Sequence, residues 1–301
     1  MKRISEETEF KYIQKLILDG GPNSKEEIEK FSDWVREKAI LFQDKKIADE
    51  VVNKLKELFS PLHNMDTIIG ISYLKPFGYS GDYKVIDMVY QNHISTNPKL
   101  SNWDKWVQST NGLKAVRNRK DYFKNCLLQL STKNPNAKVC NIASGPCRDI
   151  LEYFSENPNS KIAIHCIDHD ANAINYSKEL LKDVRKNNYT LTKGNIFKYH
   201  TDSKFDFVWS AGLFDYFDDS TFVKILRKLY GFVNQGGILI VGNFSWKSET
   251  RYIKQFVNWH LNYRSNHLLI ELAKTALGNN VLIEIETEPE GVNLFLNIRK
   301  E

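Results

Sequence analysis

The chain has 301 residues, of which 42% are hydrophobic and 26% are charged, and its formal net charge is +5. This length suffices for one large domain or for two domains with a buried core. No apolar stretch is close in length to the run of about 20 apolar residues that a membrane-spanning helix needs. The first residues, MKRISEETEF, lack the apolar core of a secretory signal. We therefore expect a cytoplasmic protein without membrane insertion.

The distribution of charges and cysteines excludes further classes. Lysines and arginines are interleaved with acids, as in KEEIEK and DKKIADE, which is typical of solvated helix faces. A nucleic-acid groove binder would instead concentrate its basic residues in a patch or stripe. The four cysteines form no CxxC pair and have no zinc-ligand spacing with the histidines. The composition thus argues against a nucleic-acid partner and against a metal site.

Residues 1–130 carry a helical pattern of apolar residues, which begins with the three- and four-residue spacing from Phe10 to Ile17. Ser24 stands three residues before Glu27, which predicts a capping box at a helix start. The segment 70–84, GISYLKPFGYSGDYK, breaks this rhythm with glycines, a proline and four aromatic residues. We expect an α-helical N-terminal domain that acts as a lid, with Tyr79 and Tyr83 lining an acceptor pocket. A structural turn that joins the two halves of the chain is the alternative for this segment.

From residue 131 onward, short apolar runs alternate with amphipathic helical patterns. The runs are KVCNIA, KIAIHCID, YTLTKGNI, FDFVWSAG and GGILIVGNF. This alternation predicts βαβ units and a parallel sheet. At the end, VLIEIETE and VNLFLNIRK flank Pro-Glu-Gly, which indicates an antiparallel hairpin. We therefore predict an α/β, Rossmann-like domain over residues 131–301 with a terminal antiparallel hairpin, after the helical domain 1–130.

Two turns of this predicted sheet have the features of a nucleoside site. The first run ends in the small residues Ala143-Ser144-Gly145, which let a ligand approach the backbone closely. The second run ends in Asp168, 23 residues after Gly145, where a carboxylate can accept hydrogen bonds from both ribose hydroxyls. His169 follows directly and is expected to share this site. The alternative, an acid that caps the next helix, suits Asp170 better.

The third and fourth runs complete the predicted cofactor site. The amide of Asn195 can read an adenine edge, and Ile196 and Phe197 can cover its face. Ala211 and Gly212 again permit close approach to a ligand. A dinucleotide pyrophosphate calls for a GxGxxG turn, whereas the turn SGPCRD has one glycine and a proline without an N–H. The pattern therefore favours a nucleoside cofactor without phosphate.

In this order, these features resemble the class I S-adenosylmethionine (SAM)-dependent methyltransferases over residues 130–301. The resemblance implies SAM as cofactor and a small-molecule methyl acceptor. The first loop departs from the usual GxGxG of the family, with Ala143, Gly145 and Cys147 at those places. The segments PFGYSGDY (76–83), ASGPCRD, NWHLNYR (258–264) and EGVNLFLNI also resemble a bacterial group of synthases that make 3-hydroxy fatty acid methyl ester signals. That resemblance implies a carboxyl methyltransferase.

The family delivers the methyl group past the ends of the fourth and fifth strands, which implies acceptor contacts there from Asp215, Tyr216 and Asn243. A carboxylate acceptor needs no general base but does need an orienting partner. We expect Arg264 in this role, because its planar fork matches a carboxylate. Tyr263 is expected in the same pocket as a catalytic-site residue, together with Trp259 as a contact to the acceptor. An ion pair between Arg264 and an acid of the N-terminal domain is the structural alternative.

Other functions stay open at this point. An amine or phenol acceptor would need a base, for which His260 and Asp215 are candidates. A SAM fold can also catalyse a non-transfer reaction or serve as a binding module. An RNA methyltransferase would predict a basic face and strong salt dependence of binding, which the dispersed charge disfavours. A homodimer stays open as the assembly of the protein.

Overall fold

The computed structural model describes residues 6–43, 49–257 and 259–301. Within them the chain forms twelve α-helices and one seven-stranded sheet. The helices are α1 (Glu6–Leu18), α2 (Lys25–Gln43), α3 (Asp49–Leu58), α4 (Ile68–Leu74), α5 (Tyr83–Tyr90), α6 (Pro98–Ser109), α7 (Asn111–Lys133), α8 (Arg148–Glu156), α9 (Ala171–Leu180), α10 (Asp219–Tyr230), α11 (Thr250–Val257) and α12 (Asn266–Leu277). The strands are β1 (Lys138–Ile142), β2 (Ala163–Asp168), β3 (Tyr189–Lys193), β4 (Phe205–Ser210), β5 (Val233–Phe244), β6 (Leu282–Thr287) and β7 (Asn293–Arg299). None of the described helices combines the length and apolarity needed to cross a membrane.

The chain packs as two units. The first comprises residues 1–114 and 249–260, and the second comprises residues 115–248 and 261–301. The division therefore falls inside α7, before the boundary near residue 130 that the sequence suggests. The reason is that Phe123 and Leu127 of α7 belong to the core of the sheet-containing unit. Residues 249–260 join the helical unit because α11 packs against α2 and α4.

The first unit is helical, as its apolar spacing predicts. Its core is aromatic: the Phe31 ring lies 5.2 Å from that of Trp103 and 4.8 Å from that of Trp106, both edge to face. Such pairs add to the free energy gained by burial. The predicted capping signal lies at the start of α2, where the Ser24 hydroxyl accepts the N–H of Glu27 at 3.2 Å. The Glu27 carboxylate accepts the N–H of Asn23 at 2.9 Å.

The second unit is built on a sheet of strand order β3-β2-β1-β4-β5-β7-β6. The first five strands are parallel, and β7 is antiparallel to both β5 and β6. The predicted Rossmann-like sheet with a terminal antiparallel hairpin is confirmed. The chain order runs outward from β1 in one direction to β3 and then in the other from β4. This reversal opens a crevice at the carboxyl ends of β1 and β4, which is where open α/β sheets bind ligands.

Neighbouring residues of β1 belong to two different hydrophobic cores, one on each face of the sheet. Cys140 and Ile142 belong to one core, which includes residues of α10 and α12. Val139 belongs to the other core, which includes residues of α7 and α8. Because successive side chains of a strand point to opposite faces, both faces of the sheet are covered by helices. The carboxyl-end loops of the strands remain available for a site.

Candidate functional site

A cavity of about 160 Å³ lies at the carboxyl ends of β1, β2 and β3. Its walls combine apolar side chains with one carboxylate, one imidazole and one amide. The lining residues are Ile142, Ala143, Ile167, Asp168, His169, Gly194, Asn195, Ile196, Phe197 and Leu213. Six of these were expected from the sequence to contact a cofactor. Ile142, Ile167, Gly194 and Leu213 are additions, and all of them are adjacent in sequence to expected residues.

The loop between β1 and α8 turns through three left-handed residues. The φ angles are +53° at Ala143, +56° at Gly145 and +56° at Cys147. These are the three places at which the sequence aligns with a GxGxG pattern. A left-handed conformation costs a residue with a Cβ roughly 1–2 kcal/mol, so Ala143 and Cys147 hold strain that glycine would avoid. Positive φ at every second residue from 143 to 147 explains why glycine is favoured at these three positions of the loop.

Asp168 fastens this loop to the end of β2. The side chain is buried, and its Oδ2 accepts the N–H of Gly145 at 2.9 Å while its Oδ1 accepts the N–H of Asp170 at 2.9 Å. A carboxylate has about four acceptor sites, and the imidazole of His169 uses a third, so one remains for a ligand. His169 Nδ1 lies 3.4 Å from Asp168 Oδ1, and this hydrogen bond raises the pKa of the imidazole. The predicted contact of Asp168 with a ribose remains a prediction.

The residues predicted to hold an adenine also line this cavity. Asn195 Oδ1 accepts the N–H of Phe197 at 2.9 Å, which fixes the turn after β3. The amide nitrogen of this exposed side chain is the group left to read a base edge. Ile196 is buried beneath the cavity, and the exposed Phe197 ring lies 5.6 Å from the ring of Phe217. The apolar cover and the amide thus line the same cavity.

Four of the expected cofactor residues lie beside this cavity without lining it. Ser144 and Gly145 belong to the left-handed loop, and the N–H of Ser144 donates to the Ile167 carbonyl at 3.2 Å. Ala211 and Gly212 follow β4. A Cβ on Gly212 would lie 3.1 Å from Nη1 of Arg119, so a guanidinium group packs directly against this glycine.

Asp215 follows Gly212 in a short 3₁₀ turn at Phe214–Tyr216. Its side chain is 2% exposed, and its Oδ1 accepts the N–H of Phe244 at 2.6 Å. Burial raises the pKa of Asp215 to about 7, although the hydrogen bond from Phe244 and the charges of Arg119 and Arg264 lower it. Burial therefore favours the neutral form of this carboxyl group.

Arg264 is bound entirely by the protein, so its predicted role as the orienting partner of a carboxylate is wrong. Its Nε and Nη2 lie 3.0 and 2.8 Å from Asp219 Oδ1. Nη1 donates to Asn243 Oδ1 at 2.7 Å and to the Phe214 carbonyl at 3.0 Å, and Nη2 donates to the Phe217 carbonyl at 2.5 Å. These contacts use the five N–H donors of the guanidinium. The ion-pair partner belongs to the second unit rather than to the predicted N-terminal domain.

Asn243 was expected to contact the acceptor, and the structure contradicts this as well. Its oxygen accepts from Arg264, and its amide nitrogen donates to the carbonyls of Phe244 at 3.0 Å and Asn262 at 2.9 Å. Both N–H donors are therefore used inside the protein. The side chain has no exposed surface. Asn243 and Arg264 together hold the end of β5 against the 3₁₀ turn.

Two aromatic side chains of the second unit are exposed near these strand ends. Tyr216 is 41% exposed in the 3₁₀ turn, and Trp246 is 58% exposed just after β5. Tyr263 is buried, with its ring 5.6 Å from that of Trp246. The predicted contacts of Tyr216 and Tyr263 with an acceptor remain predictions.

The remaining predicted residues belong to the first unit. Tyr83 is buried at the start of α5, and Tyr79 is half-buried in the preceding turn. Trp259 is half-buried and His260 is exposed, and burial together with neighbouring lysines lowers the pKa of His260. The first residue of NWHLNYR, Asn258, lies outside the described residues. The roles assigned to these side chains remain predictions.

Arg119 is the residue of the site that the sequence does not single out. It is 6% exposed, it packs against Gly212, and its charge lowers the pKa of both Asp149 and Asp215. Burial outweighs this effect at Asp149, whose pKa is raised to about 7. In the sequence, Arg119 stands among the other basic residues of VRNRKDY, and no local signal separates it from them.

Comparison with known proteins decides the family. The model of a family described as "Methyltransferase domain" matches residues 133–289, just over half of the chain. The chain belongs to the class I SAM-dependent methyltransferases. The cofactor of this methyltransferase is SAM, and Asp168 is one of the residues that line the cavity.

Solved structures support the fold of the methyltransferase. A possible exported protein from Bordetella parapertussis is 13% identical with a TM-score of 0.68, over 99% of this chain and 97% of that chain. The magnesium protoporphyrin IX methyltransferase of Synechocystis was solved with bound S-adenosylhomocysteine (SAH). It is 9% identical with a TM-score of 0.50, over 63% of this chain and 87% of that chain. No curated protein matches the sequence.

Proposed function

We propose that this methyltransferase transfers a methyl group from SAM to the carboxylate of a small molecule and so forms a methyl ester. The burial of Asp215 is the observation that carries the proposal. This acid stands at the strand ends where the family delivers the methyl group, but it is 2% exposed and accepts a hydrogen bond from the backbone. A general base must come within hydrogen-bond reach of the proton that it removes. An acceptor that is already ionised suits this arrangement.

The reaction places few chemical demands on the protein. When bound, SAM would supply an electrophilic methyl group, whose bond to the acceptor oxygen forms as its bond to sulfur breaks and S-adenosylhomocysteine leaves. A carboxylate is ionised at pH 7, so the protein must align it and exclude water, which can contribute several orders of magnitude in rate. Asp168, with Gly145 and Asp170 fixing its carboxylate, would hold the ribose.

Two exposed aromatic residues favour an acceptor with an apolar body. Tyr216 and Trp246 follow β4 and β5, at the edge to which the family directs the methyl group. Exposed apolar side chains near a site favour an apolar ligand. A carboxylate on an apolar chain also agrees with the sequence resemblance to the fatty acid methyl ester synthases. We place this reaction in the cytoplasm, on the basis of the composition of the chain.

A second function is favoured by the acidity of Asp215. Its pKa of about 7 matches the value of an efficient general base at neutral pH. Methylation of a phenol or an amine would use such a base. This candidate requires the carboxyl group to reach the acceptor, although its side chain is buried in the described structure.

Incubation with methyl-labelled SAM and separate pools of carboxylic acids, phenols and amines tests the two candidates. Methyl esters release labelled methanol in alkali, whereas aryl ethers and methylamines keep their label. We expect alkali-labile label in the acid pool, and we expect Asp215→Asn to retain it, since an amide oxygen can still accept the N–H of Phe244. Alkali-stable label that disappears in Asp215→Asn would establish the second function instead.

A further inference from the structure

The second unit contains two buried arginines whose hydrogen bonding differs completely. Arg264 donates hydrogen bonds to acceptors of four residues, as described above. Among the described residues, no protein acceptor takes a hydrogen bond from Arg119, and its buried Nε has no partner. Leaving a buried donor unpaired is unfavourable, and more so when the donor belongs to a charged group. A guanidinium held in this way is set up for an acceptor that the protein does not supply.

The position of Arg119 shows where such an acceptor would bind. Its Nη1 and Nη2 lie 3.1 and 3.3 Å from where a Cβ on Gly212 would stand, so they lie against the backbone that follows β4. Leu213, the next residue, lines the cavity described above. The guanidinium therefore lies near the cavity, on the side of β4 where the family places the transferred methyl group.

We infer that Arg119 binds a carboxylate at the carboxyl end of β4, in the two-pronged geometry that a guanidinium offers. The chemistry is shared by two sources, which are the amino-acid carboxylate of SAM and the carboxylate of the methyl acceptor. The second source rests on the proposed function, whereas the first requires only that the protein binds SAM.

The acids around Arg119 are compatible with an incoming anion. Asp149 and Asp215 both have a pKa raised to about 7 by burial, and neither lies within ion-pair distance of Arg119 in the described part of the chain. Glu152, Lys120 and Arg264 are the other charged groups that act on these two acids. Both acids can take up a proton when a carboxylate arrives, and the cluster then avoids an excess of negative charge.

Calorimetry on folded Arg119→Met and Arg119→Lys tests the inference, with the half-buried Arg117→Met on the same helix as the control. The probes are S-adenosylhomocysteine and 5′-methylthioadenosine, which lacks the amino-acid carboxylate. If SAM is the source, Arg119→Met weakens S-adenosylhomocysteine binding about tenfold or more, whereas 5′-methylthioadenosine binds as to the wild type. Arg119→Lys keeps the charge without the fork and falls between.

If the acceptor is the source, both nucleosides bind Arg119→Met normally and the KM for the methylated acid rises about tenfold or more. Arg117→Met should match the wild type in every assay. The inference is overturned if both nucleosides lose affinity equally in Arg119→Met, which would show a structural role. It is also overturned if neither nucleoside affinity nor the KM changes. A protein that methylates no acid would refute the proposed function, while the nucleoside comparison would still be decisive.

Discussion

Asp168 and Asp170 stand two residues apart at the end of β2, and their hydrogen bonds give them different tasks. Asp170 caps α9, because its carboxylate accepts the N–H of Asn172 at 2.8 Å. Asp168 instead accepts the N–H of Gly145 and lines the cavity. At this scale the direction of a side chain, more than its type, decides whether an acid stabilises a helix or binds a ligand.

Replacing Asp168 with Ala should weaken the binding of S-adenosylhomocysteine about tenfold or more, since hydrogen bonds to a charged group contribute roughly 1.5–3 kcal/mol each. Titration calorimetry on the folded variant measures this. Asp170→Ala is the matched control: it should lose about 1 kcal/mol of stability as a helix cap and keep its affinity. Equal affinities of the wild type and Asp168→Ala would move the cofactor away from this cavity.

Arg264 acts on stability, so its replacement should affect folding before it affects chemistry. Arg264→Met leaves the carboxylate of Asp219 and several buried carbonyl groups without their donor. The Asp219 side chain is 56% exposed, so the cost comes mainly from the buried acceptors, and each one left unpaired costs about 1–3 kcal/mol. Urea unfolding should show this loss, and the folded fraction should bind S-adenosylhomocysteine as the wild type does. An unchanged unfolding midpoint with a raised KM for the acceptor would restore Arg264 to the acceptor site.

At the scale of elements, the loop between β1 and α8 combines a ligand-binding role with backbone strain. Ala143 and Cys147 adopt the left-handed conformation, while Ser144 between Ala143 and Gly145 does not. The Ser144 side chain is nonetheless buried, and its hydroxyl has no hydrogen-bond partner in the described part of the chain. The strain is maintained because Ile167 and Asp168 of β2 bind the backbone of the loop.

Ala143→Gly should therefore be tolerated and should stabilise the protein by up to about 1 kcal/mol, because glycine relieves the left-handed strain. Ser144→Gly is the control at a neighbouring position with negative φ, where added chain entropy should destabilise by about 0.5–1 kcal/mol. Thermal unfolding of both variants is the measurement. The assigned conformation of the loop would be refuted if Ala143→Gly proved the more destabilising of the two.

Asp149 at the start of α8 should make stability depend on pH. Its pKa is raised from 3.8 to about 7, so folding favours the protonated form, and this contribution is lost as the pH rises through 7. Asn mimics that form at every pH. The stability of the wild type relative to Asp149→Asn should thus fall by roughly 1–3 kcal/mol between about pH 5 and about pH 8.

Urea unfolding at the two pH values measures this difference, and Asp218→Asn serves as the control. The helix-cap hydrogen bonds of Asp218 lower its pKa from 3.8, so its contribution to stability should stay constant over the same interval. A wild type that gained stability relative to Asp149→Asn as the pH rose would show that Asp149 is held as a stable anion.

Sequence patterns predict the elements of this protein better than its long-range contacts. The five apolar runs, the hairpin and the helical first half all follow from local periodicity, and Asp168 follows from its place at a strand end. Arg264 is different, because the carbonyls of Phe214 and Phe217 that bind it are about fifty residues earlier in the chain. The sequence also gives no sign that Arg119 lacks a hydrogen-bond acceptor among the described residues, because this depends on how the folded chain packs.

At the scale of the whole molecule, the sequence predicts a different role for each unit: cofactor binding for the second and a lid for the first. The second unit contains the cavity and the residues predicted to hold SAM. The first unit is interrupted in sequence, since residues 249–260 return to it after β5. That return follows the strand at whose end the family delivers the methyl group. A covering role for the first unit is therefore a prediction about function that ligand binding can test.

Hydrogen exchange with and without S-adenosylhomocysteine is that test. We expect slower exchange at residues 143–147, which would bind the cofactor, and also at residues 70–84 and 249–260, because a lid loses freedom when the site beneath it is filled. Residues 6–18 of the first unit provide an internal control that should exchange at the same rate in both states. Tyr79→Ala should raise the KM for the acceptor and leave the affinity for S-adenosylhomocysteine unchanged. Protection confined to the second unit, with a normal KM in Tyr79→Ala, would show that the helical unit has no part in covering the site.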